Sequence, residues 1–283
     1  MNTLFLTGWG LLAQALAHVA SENGLTVHAV SRRIGVGRGM PLDLVDATSP
    51  LRRLIHEARP DVVVHTAART SAVSCQCDPA AAFRDNVVAT EHVLNAAEED
   101  GIPVAFLSTD AVFDGMRGRY RENDRRGPVN VYALTKAHAE DLVVSRRGLV
   151  VRGTYIGRRP DGASGLVERL LDPRARPTIP EGKRASPLWV GDAMTVLLEL
   201  LASHATGLVH IGSSDATGWA ELATRIRGTS VEETSPSDGV PRPRDTSLDV
   251  SRTVALTGRA MPTVAETVDA MLRSPALTGQ PND

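Results

Sequence analysis

Tyr132 and Lys136 stand four residues apart in Asn130-Val131-Tyr132-Ala133-Leu134-Thr135-Lys136. That spacing sets both side chains on one face of a helix. A phenol titrating at about 10 is a poor acid or base at neutral pH, and an adjacent ammonium stabilises its phenolate. The pair can therefore manage a proton. Tyr-x-x-x-Lys is common on helices, so its weight comes from its surroundings, beginning with Ser108-Thr109-Asp110 at the end of the preceding apolar run.

A second group of residues suits a phosphate. Thr7-Gly8-Trp9-Gly10-Leu11-Leu12-Ala13 lies between a short apolar strand and an amphipathic helix. It reads G-x-G-x-x-A: Gly8 allows the tight turn, Gly10 admits a pyrophosphate against the backbone, and Ala13 permits close helix–strand packing. The helix N-terminus adds free N–H groups and partial positive charge. An acidic residue at the end of the second strand would select NAD, whereas this chain has Ser31-Arg32-Arg33 there. Two guanidiniums and a hydroxyl suit the 2′-phosphate of NADP(H), with NAD(H) as the alternative. Asp43 and Leu44 end the expected third strand, where an adenine would lie.

These groups need a scaffold that brings them to one edge. Expected strands are Leu4–Leu6, Leu25–Val30, Pro41–Leu44, Asp61–Ala67, Val104–Ser108, Leu149–Arg152 and Leu208–Ile211, and expected helices are Leu11–Asn23, Pro50–Ala58, Pro79–Asp100, Val129–Arg147, Leu166–Leu171 and Val190–Ser203. Strands alternating with helices predict an α/β fold, a doubly wound parallel sheet with ligands at the carboxyl ends of its strands. After Gly153 the pattern becomes rich in Pro, Gly and Arg, and residues 230–245 again read as loop. The expected division is a dinucleotide-binding unit over 1–153, a small interleaved substrate lobe over 154–187 and 213–250, and a return to the first unit, with a C-terminal helix, over 188–212 and 251–283.

The bulk composition excludes other classes. With 283 residues, 42% hydrophobic and 23% charged, the chain can bury a core without staples. A net charge of −2 and 4% aromatics leave neither a basic field nor a stacking platform for nucleic acid. Cys75 and Cys77 read as reduced thiols. The eight histidines show no metal-ligand spacing, so no metal is expected. His65, inside an apolar strand, reads as a core residue. The first apolar stretch lacks leading basic residues and carries two glycines, no later run is long enough to span a bilayer, and a cytoplasmic location is expected.

Taken together, these segments resemble the extended, sugar-nucleotide-modifying branch of the short-chain dehydrogenase/reductase superfamily, and within it the dTDP-4-dehydrorhamnose reductases. The resemblance rests on Leu107-Ser-Thr-Asp-Ala-Val-Phe-Asp-Gly115, Tyr120-Arg-Glu-Asn123, Pro128 to Lys136, Ser186-Pro187 with Gly191-Asp192, and Arg242-Pro-Arg-Asp-Thr-Ser-Leu-Asp249. It implies a Rossmann fold and a reductase of a keto group on a nucleotide-activated deoxysugar. It also implies that Thr109 binds the carbonyl, that Tyr132 donates the proton, and that Lys136 lowers the phenol's pKa and holds the nicotinamide ribose. Thr66, Ala67 and Ala68 would line the dinucleotide. Asp110 has two readings, as a polar neighbour of the substrate or as a loop-bonding residue. Arg184, Arg242 and Arg244 are candidates for a diphosphate clamp, and Arg69 and Arg152 are further candidates for substrate contact. Homodimerisation is an expectation of the family.

Three features depart from that family. The glycine turn is one residue shorter and carries Trp9, Arg69 replaces a tyrosine, and Gly153-Thr154-Tyr155 stands where the reductases carry a sugar-packing tryptophan. Two other functions share the fold: a cofactor-retaining epimerase, and a non-catalytic dinucleotide-binding regulatory subunit. Ala111 stands where dehydratases carry a glutamate, which disfavours dehydration.

Overall fold

The computed structural model describes residues 1–32, 40–46, 48–159, 165–235, 237–274 and 276–277. Arg33 lies outside the described residues. The first half runs β1 (Thr3–Thr7), α1 (Leu11–Glu22), β2 (Thr26–Ser31), β3 (Met40–Pro41), α2 (Thr48–Ala58), β4 (Val62–His65), α3 (Ala72–Cys77) and α4 (Pro79–Phe83). A π-helical turn (Arg84–Val88) leads into α5 (Ala89–Glu98), followed by β5 (Val104–Leu107), α6 (Val131–Ser145) and β6 (Leu149–Ile156). The second half runs α7 (Leu166–Leu171), β7 (Ile179–Pro180), β8 (Arg184–Ala185), β9 (Pro187–Trp189), α8 (Val190–Ala202) and β10 (Gly207–Ile211). It ends with β11 (Thr217–Gly218), α9 (Trp219–Arg227), β12 (Glu233–Thr234), α10 (Ser251–Thr257) and α11 (Val264–Arg273).

The main sheet is parallel, in the order β10-β6-β5-β4-β1-β2-β3, with β9 added to β6. Alternation along each strand builds the three layers. Leu4, Leu6, Val62, Val64, Ala105 and Leu107 face one core with α1 and α8. Phe5, Val63, Val104 and Phe106 face the other with α2, α5 and α6. The strands are buried on both faces, which is why their sequence reads as continuous apolar runs. The chain reverses between β1 and β4, so the glycine turn opens where strand order switches, and ligands of such sheets bind there. A smaller core joins Ile156, Leu170, Ile179, Leu222 and Ile226 to Val264 and Val268 of α11. The C-terminal helix, placed from sequence with the dinucleotide unit, thus packs in the small lobe.

The doubly wound sheet is as expected, and several elements differ. The third strand is Met40–Pro41 rather than Pro41–Leu44, because Asp43 folds back so that its carboxylate accepts from Val45 N at 3.1 Å. The helix expected over Pro79–Asp100 contains the π turn, and α3 precedes it. Strand β6 continues past Arg152 through Gly153-Thr154-Tyr155-Ile156, because β9 supplies it with a partner. Helix α9 forms where no helix was expected, with Leu222, Ala223 and Ile226 buried against α7. Among the described residues, no helix is long and apolar enough to cross a membrane, and no group of three or more His, Cys, Asp or Glu could hold a metal ion.

Candidate active site

The dinucleotide end is built by backbone. Gly8 adopts φ +110°, and a Cβ there would lie 2.7 Å from Thr66 Oγ1 and 2.8 Å from Ala67 N. Only glycine fits this approach. Gly10 caps α1 without a side-chain hydrogen bond, and a Cβ on it would meet nothing within 4 Å. The first turn of a twelve-residue helix therefore opens onto free space with its N–H groups unclaimed by a cap. Trp9, Leu11 and Leu12 turn their side chains onto the first core, so the bulk of Trp9 is accommodated below the turn. Thr66 and Ala67 both donate their N–H to Thr7 O, at 2.9 and 2.8 Å. Ala68 is half-buried beside them. The residues present fit a dinucleotide: a glycine cradle, an open helix N-terminus and a cation at the end of β2.

That cation, Arg32, is half-exposed and lies 3.5 Å from Asp85. Ser31 is half-buried beside it. Leu44 is buried in the second core rather than presented to a ligand, and its carbonyl accepts from His92 Nδ1 at 2.9 Å. Asp43 is exposed. The π turn explains another difference. A wider turn lets consecutive Asp85 and Asn86 both point inward. Asn86 closes a ring with Arg69 N and Arg69 O, at 2.7 and 3.1 Å, and donates to Thr135 Oγ1 at 2.9 Å. Asp85 and Ser74 hold the Arg69 guanidinium, at 3.0 and 2.9 Å. Arg69 is thereby committed within the protein, which removes it from the substrate candidates.

The proton-handling end is a set of pairings between β5 and α6. Lys136 Nζ donates to Leu107 O at 2.7 Å, Ser108 Oγ donates to Glu140 Oε1 at 2.5 Å, and the Thr109 hydroxyl is hydrogen-bonded to the Tyr132 phenol. Three successive residues leaving the strand thus engage Tyr132, Lys136 and Glu140, which stack at intervals of four along one helix face. Asn130 starts α6 by accepting from Ala133 N at 2.9 Å.

Burial dominates the electrostatics. It pushes the Tyr132 phenol up to about 12, opposed by the Thr109 hydrogen bond and reinforced by Asp110. It pulls Lys136 down to about 7, opposed by Glu140. Lys136 Nζ also rests 3.7 Å from the Phe106 ring centroid. The lowering of the phenol expected from Lys136 does not occur: desolvation holds the phenol above its usual value. Asp110, buried, accepts from the Thr109 hydroxyl at 3.2 Å and from Thr246 Oγ1. Of its two readings, the structure supports loop bonding: Asp110 ties the turn after β5 to the 246 segment.

The arginines divide. Arg152 is 1% exposed and bidentate on Glu140, at 2.9 and 2.6 Å. Arg126 reaches the same carboxylate at 3.1 Å. A buried guanidinium must be paired, and this one faces the core, so its candidacy as a substrate contact is corrected. Arg184 is half-exposed, 3.7 Å from Asp245. Arg242 and Arg244 line a cleft of about 310 Å³ together with Pro180, Glu181 and Lys183. Arg242 is forked onto Asp238, at 2.8 and 2.6 Å. Sequence reasoning missed Lys183, Trp219 and the position of Tyr155. Tyr155 Oη, Thr154 Oγ1 and Trp219 Nε1 are buried polar atoms without a protein partner, and burial together with Asp110 and Tyr132 holds the Tyr155 phenol above its usual pKa. Cys75 is buried with its thiol donating to Arg69 O at 3.4 Å, and Cys77 is exposed.

The sheet, the glycine turn and the Thr109–Tyr132–Lys136 set define an α/β protein of the extended short-chain dehydrogenase/reductase type. The family model described as RmlD substrate binding domain matches residues 1–276, and the chain belongs to that family. It is 30% identical to a dTDP-4-dehydrorhamnose reductase of Streptomyces griseus over 263 residues, 86% of this chain and 84% of that one. The structure of a hypothetical dTDP-4-dehydrorhamnose reductase from Sulfolobus tokodaii superposes with a TM-score of 0.82 at 28% identity, covering 93% of this chain and 97% of that chain. The dTDP-4-dehydrorhamnose reductase of Bacillus anthracis, solved in complex with NADP, shares the fold at a TM-score of 0.84 and 22% identity, covering 96% and 99%.

Proposed function

We propose that the chain is an NADPH-dependent reductase acting on a keto group of a nucleotide-activated deoxysugar. The observation that carries this reading is the assembly of Thr109, Tyr132 and Lys136 by β5 and α6 beside an open glycine cradle. The names of the relatives, dTDP-4-dehydrorhamnose reductase and dTDP-4-keto-6-deoxy-D-glucose reductase among them, support the substrate class.

Gly8, Gly10 and the first N–H groups of α1 would hold the cofactor's pyrophosphate, Arg32 with Ser31 its 2′-phosphate, and Thr66 to Ala68 its flank. The cofactor, when bound, supplies the hydride. The protein's task is the other half of the reduction. The Thr109 and Tyr132 hydroxyls lie side by side, so a carbonyl oxygen brought up to them accepts from both once Thr109 turns its proton from Asp110 to the substrate. As negative charge grows on that oxygen, Tyr132 passes it a proton. A phenol pushed up to about 12 holds that proton until the oxygen becomes basic enough to take it. Lys136 is fixed on the Leu107 carbonyl one helical turn below. The two free thiols accord with a cytoplasmic location.

The test is NADPH oxidation, followed by absorbance, with a panel of 4-keto sugar nucleotides for the natural chain and Tyr132→Phe. Turnover by the natural chain that is lost in the variant is the expected result. Turnover indifferent to the phenol would defeat the mechanism.

A further inference from the structure

Of the 31 lysine and arginine residues, 29 are arginine and two are lysine, Lys136 and Lys183. The chain uses arginine wherever a surface charge suffices. Lysine differs chemically: its ammonium is a compact charge with three donors on one atom, and it shifts its pKa readily when buried. One of the two lysines belongs to the catalytic set. The other has no place in the reading above.

Lys183 follows Gly182 in the segment between β7 and β8. Its carbonyl accepts from Trp219 N at 2.8 Å, at the start of α9. Its Nζ lies 4.3 Å from the Trp219 ring centroid. No hydrogen bond to Nζ and no carboxylate within 4 Å of it occurs among the described residues, so the indole face supports an ammonium whose donors have no acceptor. Lys183 lines the cleft with Arg242 and Arg244. Arg242 is neutralised by Asp238, and Arg184, nearby, leans on Asp245. Arg244 makes no ion pair among the described residues. Gly182, at φ +65°, leaves room for its guanidinium, since a Cβ there would lie 3.1 Å from Arg244 Nη2. The cleft thus presents two cations that make no ion pair among the described residues, Lys183 and Arg244, beside one carboxylate, Glu181, which accepts from Ser235. Burial holds the Lys183 amine below its usual pKa, and Asp110 is the group that opposes this. Thr246 bonds both the Asp110 carboxylate and the Arg184 carbonyl, so the segment that carries Lys183 abuts the turn that carries the carbonyl-binding hydroxyl.

We propose that Lys183 is a specificity-determining substrate residue, whose ammonium, backed by the Trp219 ring and joined by Arg244, takes phosphoryl oxygens of a glycosyl diphosphate. Two cations free of ion pairs among the described residues suit the charges of a diphosphate, and a point-charge donor suits a tetrahedral phosphate oxygen. The position beside Asp110 assigns Lys183 to the phosphate next to the sugar, which sets the distance from phosphate to reacting carbonyl. This inference rests on the sugar-nucleotide reading.

With two lysines, 13C labelling at lysine Cε gives two resonances, assignable with Lys183→Met. In the NADP-bound protein, dTDP-glucose and inorganic pyrophosphate are expected to move the Lys183 resonance, and glucose is expected to leave it in place. Lys183→Met should weaken dTDP-glucose binding roughly 10- to 100-fold in calorimetry, as for the loss of a charge-assisted bond, with NADPH affinity unchanged. A protein that binds dTDP-glucose while its Lys183 resonance stays fixed, or moves equally with glucose, overturns the assignment to phosphate. If pyrophosphate moves the resonance but no nucleotide sugar binds, the sugar-nucleotide reading fails and the anion site at Lys183 stands.

Discussion

Thr109, Tyr132 and Lys136 reach one another from two elements, and what they can do there is set by how little water surrounds them. Tyr132→Phe keeps the ring and removes the only atom that can pass the proton, so kcat is expected to fall by roughly 10²- to 10⁴-fold with NADPH affinity kept. A calorimetric titration beside the rate assay separates the two quantities. Lys136 gives a second residue-scale prediction. Its amine is displaced from 10.5 to about 7 by burial, so the Cε resonance of Lys136 in the cofactor-free protein should titrate around neutrality. A midpoint above 9 would mean that water or Glu140 shields the ammonium far better than the packing around it suggests. The sign for stability follows from proton counts. Between pH 7 and 10.5 the unfolded chain holds a proton on this amine that the folded chain lacks, so the Lys136 contribution to stability rises with pH across that window. At this scale Tyr132, Lys136 and Thr109 were legible, because they lie within short segments of fixed spacing. The side chains Glu140, Asp85 and Lys183 were not: each acquires its meaning from a partner far along the chain, such as Arg152, Arg69 or Trp219.

Helix α6 and strand β5 form one unit with a buried ion cluster at its base. Glu140 is fully buried and receives Ser108, both arms of Arg152 and Arg126. Removing one side of such a cluster strands the other charge in the core. Glu140→Ala is expected to cost about 3–5 kcal/mol in urea denaturation and to lower kcat as well, because Ser108 then loses the contact that fixes the turn bearing Thr109. Glu140→Gln, which keeps an acceptor for Ser108, should recover part of both. A loss below about 1 kcal/mol for the alanine variant would show the cluster to be solvated in practice. The elements themselves were partly legible. Val62-Val63-Val64 and Phe106-Leu107 announce buried parallel strands. The π turn is silent in sequence, since Arg84–Val88 fits a helical pattern and its extra residue is required only by Asn86 and Asp85 reaching Arg69. The extension of β6 beyond Arg152 was hidden because its partner β9 arrives some thirty residues later.

At the scale of the whole molecule, two buried histidines join segments that are distant in sequence. In the main sheet, the Thr7 hydroxyl is 2.6 Å from His65 Nδ1, and His65 Nε2 is 3.0 Å from Thr90 Oγ1. Thr90 gives its own hydroxyl proton to Asn86 O, so Nε2 must be the protonated nitrogen and Nδ1 the acceptor. His210, on β10, faces Tyr120 O and Asp249 O through Nδ1 and lies 3.5 Å from Arg152 through Nε2. It therefore ties the sheet to the loop before α6 and to the segment before α10. Burial holds both histidines down to about 3, with Lys136 repelling a proton on His65 and Arg152 repelling one on His210. Their unfolded values are about 6.5. Between pH 6.5 and 3 the unfolded chain takes up protons on both imidazoles that the folded chain refuses, so stability is lost as pH falls through that window and is complete above it. Each histidine contributes up to about 1.4 kcal/mol per pH unit, so the fold should weaken steeply below pH 6. Carboxylates held low by hydrogen bonds, such as Asp61 and Asp249, add to this only nearer pH 4. Denaturation midpoints measured at pH 7.5, 6.5, 5.5 and 4.5 check the slope. His65→Gln and His210→Gln, each weaker at neutral pH, should flatten it by about one proton apiece. A curve flat from 6.5 to 5 in the natural chain would mean that these imidazoles accept protons in the folded state.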